Sequence, residues 1–151
     1  MQIASLVTLA AIFAFQARAA EPMFGTWRLN AARSTFAGDT QPGSLTVRIE
    51  PHARGGVFTL DRTETDGRST TSSILLYFDG RMRVFNEAGC SGTQSSLRLD
   101  SRTVEILHDC AGGPSTRTTV RSGERANELV VEITDQYPDG RHYERRLVLE
   151  R

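Results

Sequence analysis

Three Asp-Gly pairs, Asp66-Gly67, Asp79-Gly80 and Asp139-Gly140, punctuate a chain whose apolar residues recur at every second position. An Asp-Gly pair between alternating segments is a strong hairpin signal, because glycine accepts the positive φ that tight β-turns require. Period two sends successive side chains to opposite faces of a strand, so the combination restricts the chain to antiparallel β-structure. The alternation is clearest in Leu45, Val47 and Ile49 and again in Leu129, Val131 and Ile133. Strands are expected over 25–30, 45–50, 57–65, 70–78, 81–86, 94–99, 103–109, 115–122, 128–137 and 141–150. Beyond the first twenty residues no window shows a helical period, and the one long irregular stretch runs from Ala31 to Ser44.

Strands joined by such short turns make an all-β, up-and-down antiparallel meander of about eight to ten strands. A twisted meander of this size exposes two edges unless it curls closed, which favours a closed barrel over the alternative, an open two-sheet sandwich. A barrel of that strand number has an interior able to hold a small ligand.

Leu6 to Phe15 is an apolar run too short to span a bilayer, followed by the small-residue pattern Ala17-Arg18-Ala19. This is the pattern of a secretory signal peptide over residues 1–19, cleaved near Ala19/Ala20. Residues 20–151 then form a single domain, secreted or periplasmic, with no transmembrane anchor and expected to be monomeric. Export makes a disulfide the simplest fate of Cys90 and Cys110. A hairpin turning at Asp100-Ser101-Arg102 brings the two cysteines nearly opposite each other at its open end.

The 18 basic residues are all arginine, which excludes Schiff-base, P-loop and general-base lysines. Loss of the leader removes only Arg18, so basic and acidic side chains stay nearly balanced, and nucleic acid is not an expected partner.

Trp27, the only tryptophan, stands in Gly25-Thr26-Trp27 at the head of the first strand. A G-x-W there, ahead of an irregular loop and a meander, resembles the lipocalins and the wider calycin group. GTWRLNAARSTF (25–36), LTVRIEP (45–51) and SRTVEI (101–106) are most similar to secreted bacterial lipocalin-like proteins, a group that carries no established activity. The resemblance implies that Trp27 plugs one end of a barrel, with Gly25 beside it. It also implies an arginine across the ring, for which Arg145, Arg146 and Arg151 are candidates.

Chemistry-bearing motifs are few. No G-x-S-x-G is present, and His52, His108 and His142 are isolated, so neither a metal site nor a cofactor is expected. His108 shares a strand face with Val104 and Ile106 and is the histidine placed to enter a cavity, as a proton acceptor or haem ligand. Phe58 and Leu60 share a face with Arg62 and Glu64. Leu129, Val131 and Ile133 lead to Asp135 and Tyr137, and Tyr143 and Arg145 precede Leu147 and Leu149. A cavity with an apolar body and a polar mouth suits a small apolar or amphiphilic molecule, with Phe58, Arg62, His108, Tyr137, Tyr143 and Arg145 as its candidate contacts. Arg145 with Tyr143 has the donors of a carboxylate clamp. Their spacing resembles the fatty-acid-binding branch of the calycins, with the two residues in reversed order. The expected role is therefore non-catalytic ligand binding. The alternative is a protein-binding or inhibitory module acting through its loops; an enzyme would have only His108, Glu64 and Asp135 as acid–base groups.

Overall fold

The computed structural model describes residues 21–37, 41–87 and 89–151; the expected leader and its cleavage site lie outside them. The chain forms β1 (Gly25–Leu29), a 3-10 turn (Ala31–Arg33), β2 (Thr35–Phe36), β3 (Ser44–His52), β4 (Gly55–Thr63) and β5 (Ser69–Leu76). It continues through β6 (Arg83–Glu87), β7 (Cys90–Asp100), β8 (Thr103–Cys110), β9 (Ser115–Ser122), β10 (Glu128–Gln136) and β11 (His142–Glu150). Among the described residues no helix is long and apolar enough to cross a membrane.

The expected antiparallel meander is present. One sheet runs in the order β5-β4-β3-β1-β11-β10-β9-β8-β7-β6, so the first and last long strands meet and the sheet curls round a common interior. Asp66-Gly67 and Asp139-Gly140 form tight hairpin turns, with the glycines at φ 87° in both. Hydrogen bonds from Glu64 N to Arg68 O and from Tyr137 N to Arg141 O close them. The irregular stretch after β1 contains a strand that alternation could not reveal: β2 pairs Phe36 with Arg145 and Thr35 with Arg146 on β11.

The Asp79-Gly80 expectation is corrected. β5 and β6 are the two edges of the sheet, and no ladder joins them among the described residues. Asp79 instead bridges Leu97 of β7, while Gly80 N donates to Ser96 O at 2.8 Å and Phe78 N to Ser96 Oγ at 3.3 Å. The chain is thus stitched across the seam at one end and leaves the strands unpaired along the rest. Phe78 turns the corner at φ 56°, a left-handed conformation uncommon for an aromatic residue.

The Asp79 side chain sets this corner. Its carboxylate accepts two hydrogen bonds from the Arg83 guanidinium at 2.8 Å and one from Arg81 N at 3.0 Å. The Arg83 hydrogen bonds first, and the Arg81 N–H second, hold the Asp79 carboxyl far below the usual carboxylate range. A depressed folded-state pKa stabilises the native state above the unfolded carboxylate's pKa, and the contribution fades as pH falls from there through the folded value. Asp79→Asn should therefore lower the melting temperature at neutral pH, by a margin that shrinks below about pH 4. A margin independent of pH in melts recorded from pH 7 downward would count against this role.

At the end stitched by Phe78 and Asp79 the interior is solid. Met23, Trp27, Ile49, Leu76, Val104, Leu129 and Leu149 are buried together. Trp27 has no exposed surface, and its Nε1 donates to Met23 O at 2.8 Å. Of the three candidate arginines, Arg151 lies over the indole, 4.5 Å from the ring centroid. It is held there by bonds to Pro22 O at 3.2 Å and Phe24 O at 2.9 Å. Gly25 is required beneath it: its φ is 140°, and a Cβ would stand 3.4 Å from the Arg151 guanidinium.

Candidate functional site

Away from the Trp27 plug, the inward faces separate round a cavity of about 340 Å³. Strand alternation delivers most of its wall, to which Phe36, Pro42 and Thr59 add. Leu45 and Val47 come from β3, Phe58, Leu60 and Arg62 from β4, Ser72 and Ile74 from β5, and Phe85 and Glu87 from β6. Ile106 and His108 come from β8, Thr118 and Val120 from β9, Val131 and Ile133 from β10, and Arg145 and Leu147 from β11. The volume lies at the lower end of the range of small-molecule sites, roughly 300–1,000 Å³. Leu60 keeps 38% of its surface accessible although it belongs to this wall.

On β10 and β11 the inward face becomes more polar with distance from the plug. Leu129 and Leu149 are fully buried at the plug, and Asp135 and Arg145 stand at the far end of the same two strands. Arg145 forms an ion pair with Asp135, which also accepts a hydrogen bond from Thr116 Oγ1 at 2.7 Å. Arg62 reaches along its own strand to Glu64, with Nε donating to Oε1 at 2.6 Å. Both guanidiniums on the wall therefore face carboxylates of the protein itself.

His108 packs against Phe85, ring centroids 4.6 Å apart, and its Nε2 lies 3.3 Å from Gln94 Oε1. With a hydrogen on Nε2 the ring donates to this amide oxygen and keeps Nδ1 as an acceptor. Burial pushes the His108 pKa below its ordinary value, against the weaker opposing pull of the Glu87 carboxylate.

Of the six residues singled out from sequence, Phe58, Arg62, His108 and Arg145 converge on the cavity. Tyr137 and Tyr143 do not stand on this wall. They pack edge to face at 5.8 Å beside the Asp139-Gly140 turn, with the Arg141 guanidinium 4.7 Å from the Tyr137 ring centroid. Arg145 and Tyr143 are thus engaged separately, Arg145 by Asp135 and Tyr143 by Tyr137. Sequence reasoning missed Phe36, Phe85 and Glu87. Phe36 lies in the irregular stretch. At β6 and the residue before it the apolar alternation runs the other way, with Met82 and Val84 exposed at 73% and 89%.

Cys90 and Cys110 form the expected disulfide, Cα atoms 5.1 Å apart. It lies at the polar end, since Cys110 follows His108 by two positions on β8.

No family model matches the chain, and no curated protein matches it in sequence. Among solved structures it is similar to the zebrafish ileal bile acid-binding protein complexed with cholic acid. The TM-score is 0.50 at 11% identity, over 86% of this chain and 98% of that one. At that identity the likeness is one of fold, and together with the sheet order it makes the architecture a calycin-type one.

Proposed function

We propose that the mature protein is an exported, non-catalytic carrier that holds a small apolar or amphiphilic molecule in the barrel cavity. The observation that carries this reading is the cavity itself: an apolar body of Leu45, Val47, Phe58, Ile74, Ile133 and Leu147 under a polar mouth with Arg62, His108 and Arg145. Burying apolar surface of a ligand there would drive binding at about 25 cal/mol per Å² before the costs of association are subtracted. A protein of similar fold has been solved with cholic acid, which is consistent with a ligand of this kind. Export is supported by the apolar run and small-residue site of residues 1–19 and by the disulfide, which an oxidising compartment favours.

Native mass spectrometry of the mature protein, prepared from a periplasmic extract without detergent, tests the reading. The expected spectrum shows a discrete added mass that disappears on denaturation. A bare mass, even after incubation with mixed lipid extract, would overturn it in favour of a protein-binding role for the loops.

A further inference from the structure

The depth of the cavity sets the length of its ligand, an inference that rests on the carrier reading above. On β3, β5, β8, β10 and β11 the wall is two inward positions deep, as with Leu45 and Val47 or Arg145 and Leu147. The next inward position toward the plug belongs to the solid core on each of these strands: Ile49, Leu76, Val104, Leu129 and Leu149 are at most 1% exposed. With Trp27 they form one buried cluster, which is the floor. On β4 the floor is made of rings. Phe58 packs edge to face on Phe78 at 6.2 Å, and a Cβ on Gly56, the position beneath, would already lie 3.2 Å from each ring. Neighbouring inward positions on a strand are about 7 Å apart, so even the three that β4 supplies, Phe58, Leu60 and Arg62, span only about 14 Å.

The volume agrees with the depth. At the roughly 30 Å³ that a water-sized group takes in a liquid, a cavity of about 340 Å³ holds about eleven non-hydrogen atoms. An extended alkyl chain with bonds of about 1.5 Å advances about 1.3 Å per carbon, so about ten carbons reach from floor to mouth. We propose that the cavity is a short cup for a single amphiphile whose apolar chain has about eight to ten carbons, and that longer chains gain no affinity from their added length. Each methylene that enters exchanges water for the wall and strengthens binding about fourfold. Once the chain spans the cup, further methylenes stay in water and contribute nothing. The floor does not yield to them, because it is the close-packed cluster that holds this end of the barrel together. A chain folded back on itself would need volume that the cup lacks.

The test titrates the whole mature protein calorimetrically with 1-hexanol, 1-octanol, 1-decanol and 1-dodecanol, each below its solubility limit. The uncharged head keeps the charges of the mouth out of the comparison. The dissociation constant is expected to fall about fourfold per methylene as far as 1-decanol, with 1-dodecanol within about twofold of it; a deeper cavity would give about sixteenfold over those last two methylenes. Val47→Phe fills part of the cup with a ring and should move the limit to about 1-octanol. Leu147→Ala empties part of it and should let 1-dodecanol bind several-fold more tightly than 1-decanol. A sixteenfold gain at 1-dodecanol in the unsubstituted protein, or a limit that neither variant moves, overturns the inference while leaving the carrier reading standing. Binding of none of the four alkanols overturns the carrier reading itself.

Discussion

Trp27→Ala is expected to lower the free energy of unfolding by about 3–5 kcal/mol, the range for removing a fully buried large aromatic side chain. Three observations place Trp27 in that range. The indole has no exposed surface, its N–H is satisfied by Met23 O, and the Arg151 guanidinium covers one of its faces. The side chain stands where several strands converge, so the surrounding backbone is held by ladders on both sides and has little freedom to collapse into the void. Trp27→Phe separates packing from hydrogen bonding. It keeps much of the ring but leaves the Met23 carbonyl without its partner, and should cost about 1–3 kcal/mol. Urea unfolding followed by far-UV circular dichroism measures both. A loss under about 1 kcal/mol for the alanine variant would show that the ring does not hold this end of the barrel together.

How much of this was legible in the sequence depended on whether a residue's surroundings are local. The hairpins at Asp66-Gly67 and Asp139-Gly140 could be read directly, because turn chemistry and the flanking alternation agree within a few residues. Asp79-Gly80 carries the same dipeptide, yet the chain is captured by Ser96 and Leu97, some sixteen positions or more away, and among the described residues the strands on either side do not pair. The inward faces of β4, β8, β10 and β11 were legible because period two holds along an uninterrupted strand. At the start of β6 the pattern misleads: Met82, just before the strand, and Val84 alternate cleanly but are exposed, while the cavity receives Phe85 and Glu87. Arg145 illustrates the other limit. Its place on an inward face follows from Leu147 and Leu149. Its neutralisation by Asp135 follows from the β10–β11 register, in which Asp135 is opposite Tyr143 and therefore diagonal to Arg145. A clamp made of Tyr143 and Arg145 looked natural along one strand, and the neighbouring strand supplies both residues with other partners.

Breaking the Cys90–Cys110 bond is expected to cost about 3 kcal/mol, since in the chain-entropy model a cross-link between residues 20 apart removes that much freedom from the unfolded chain. For a domain of this size the loss corresponds to a fall in melting temperature of roughly 10 °C. The bond ties the start of β7 to the end of β8, and β7 is the only ladder partner of the short edge strand β6 among the described residues. Local geometry there is already tight. Gly92 lies opposite Cys110, and a Cβ on it would stand 1.8 Å from Asp109 O, so the two backbones approach more closely than any other residue would allow. Loss of the bond should therefore act in two places. It loosens the unfolded chain, which calorimetry of the oxidised protein against Cys90→Ser/Cys110→Ser reads as a lower melting temperature. It also lets β6 and the adjoining end of β7 open, which hydrogen exchange reads as faster exchange at Phe85 and Glu87 than at Val131 on the far side of the sheet. An unchanged melting temperature would mean that the bridge constrains a loop already held by the β7–β8 ladder. A lower melting temperature with uniform exchange would place the effect in the unfolded state alone. Only the two changes together tie the disulfide to the cavity, because Phe85 and Glu87 are the residues through which the edge strand reaches its wall.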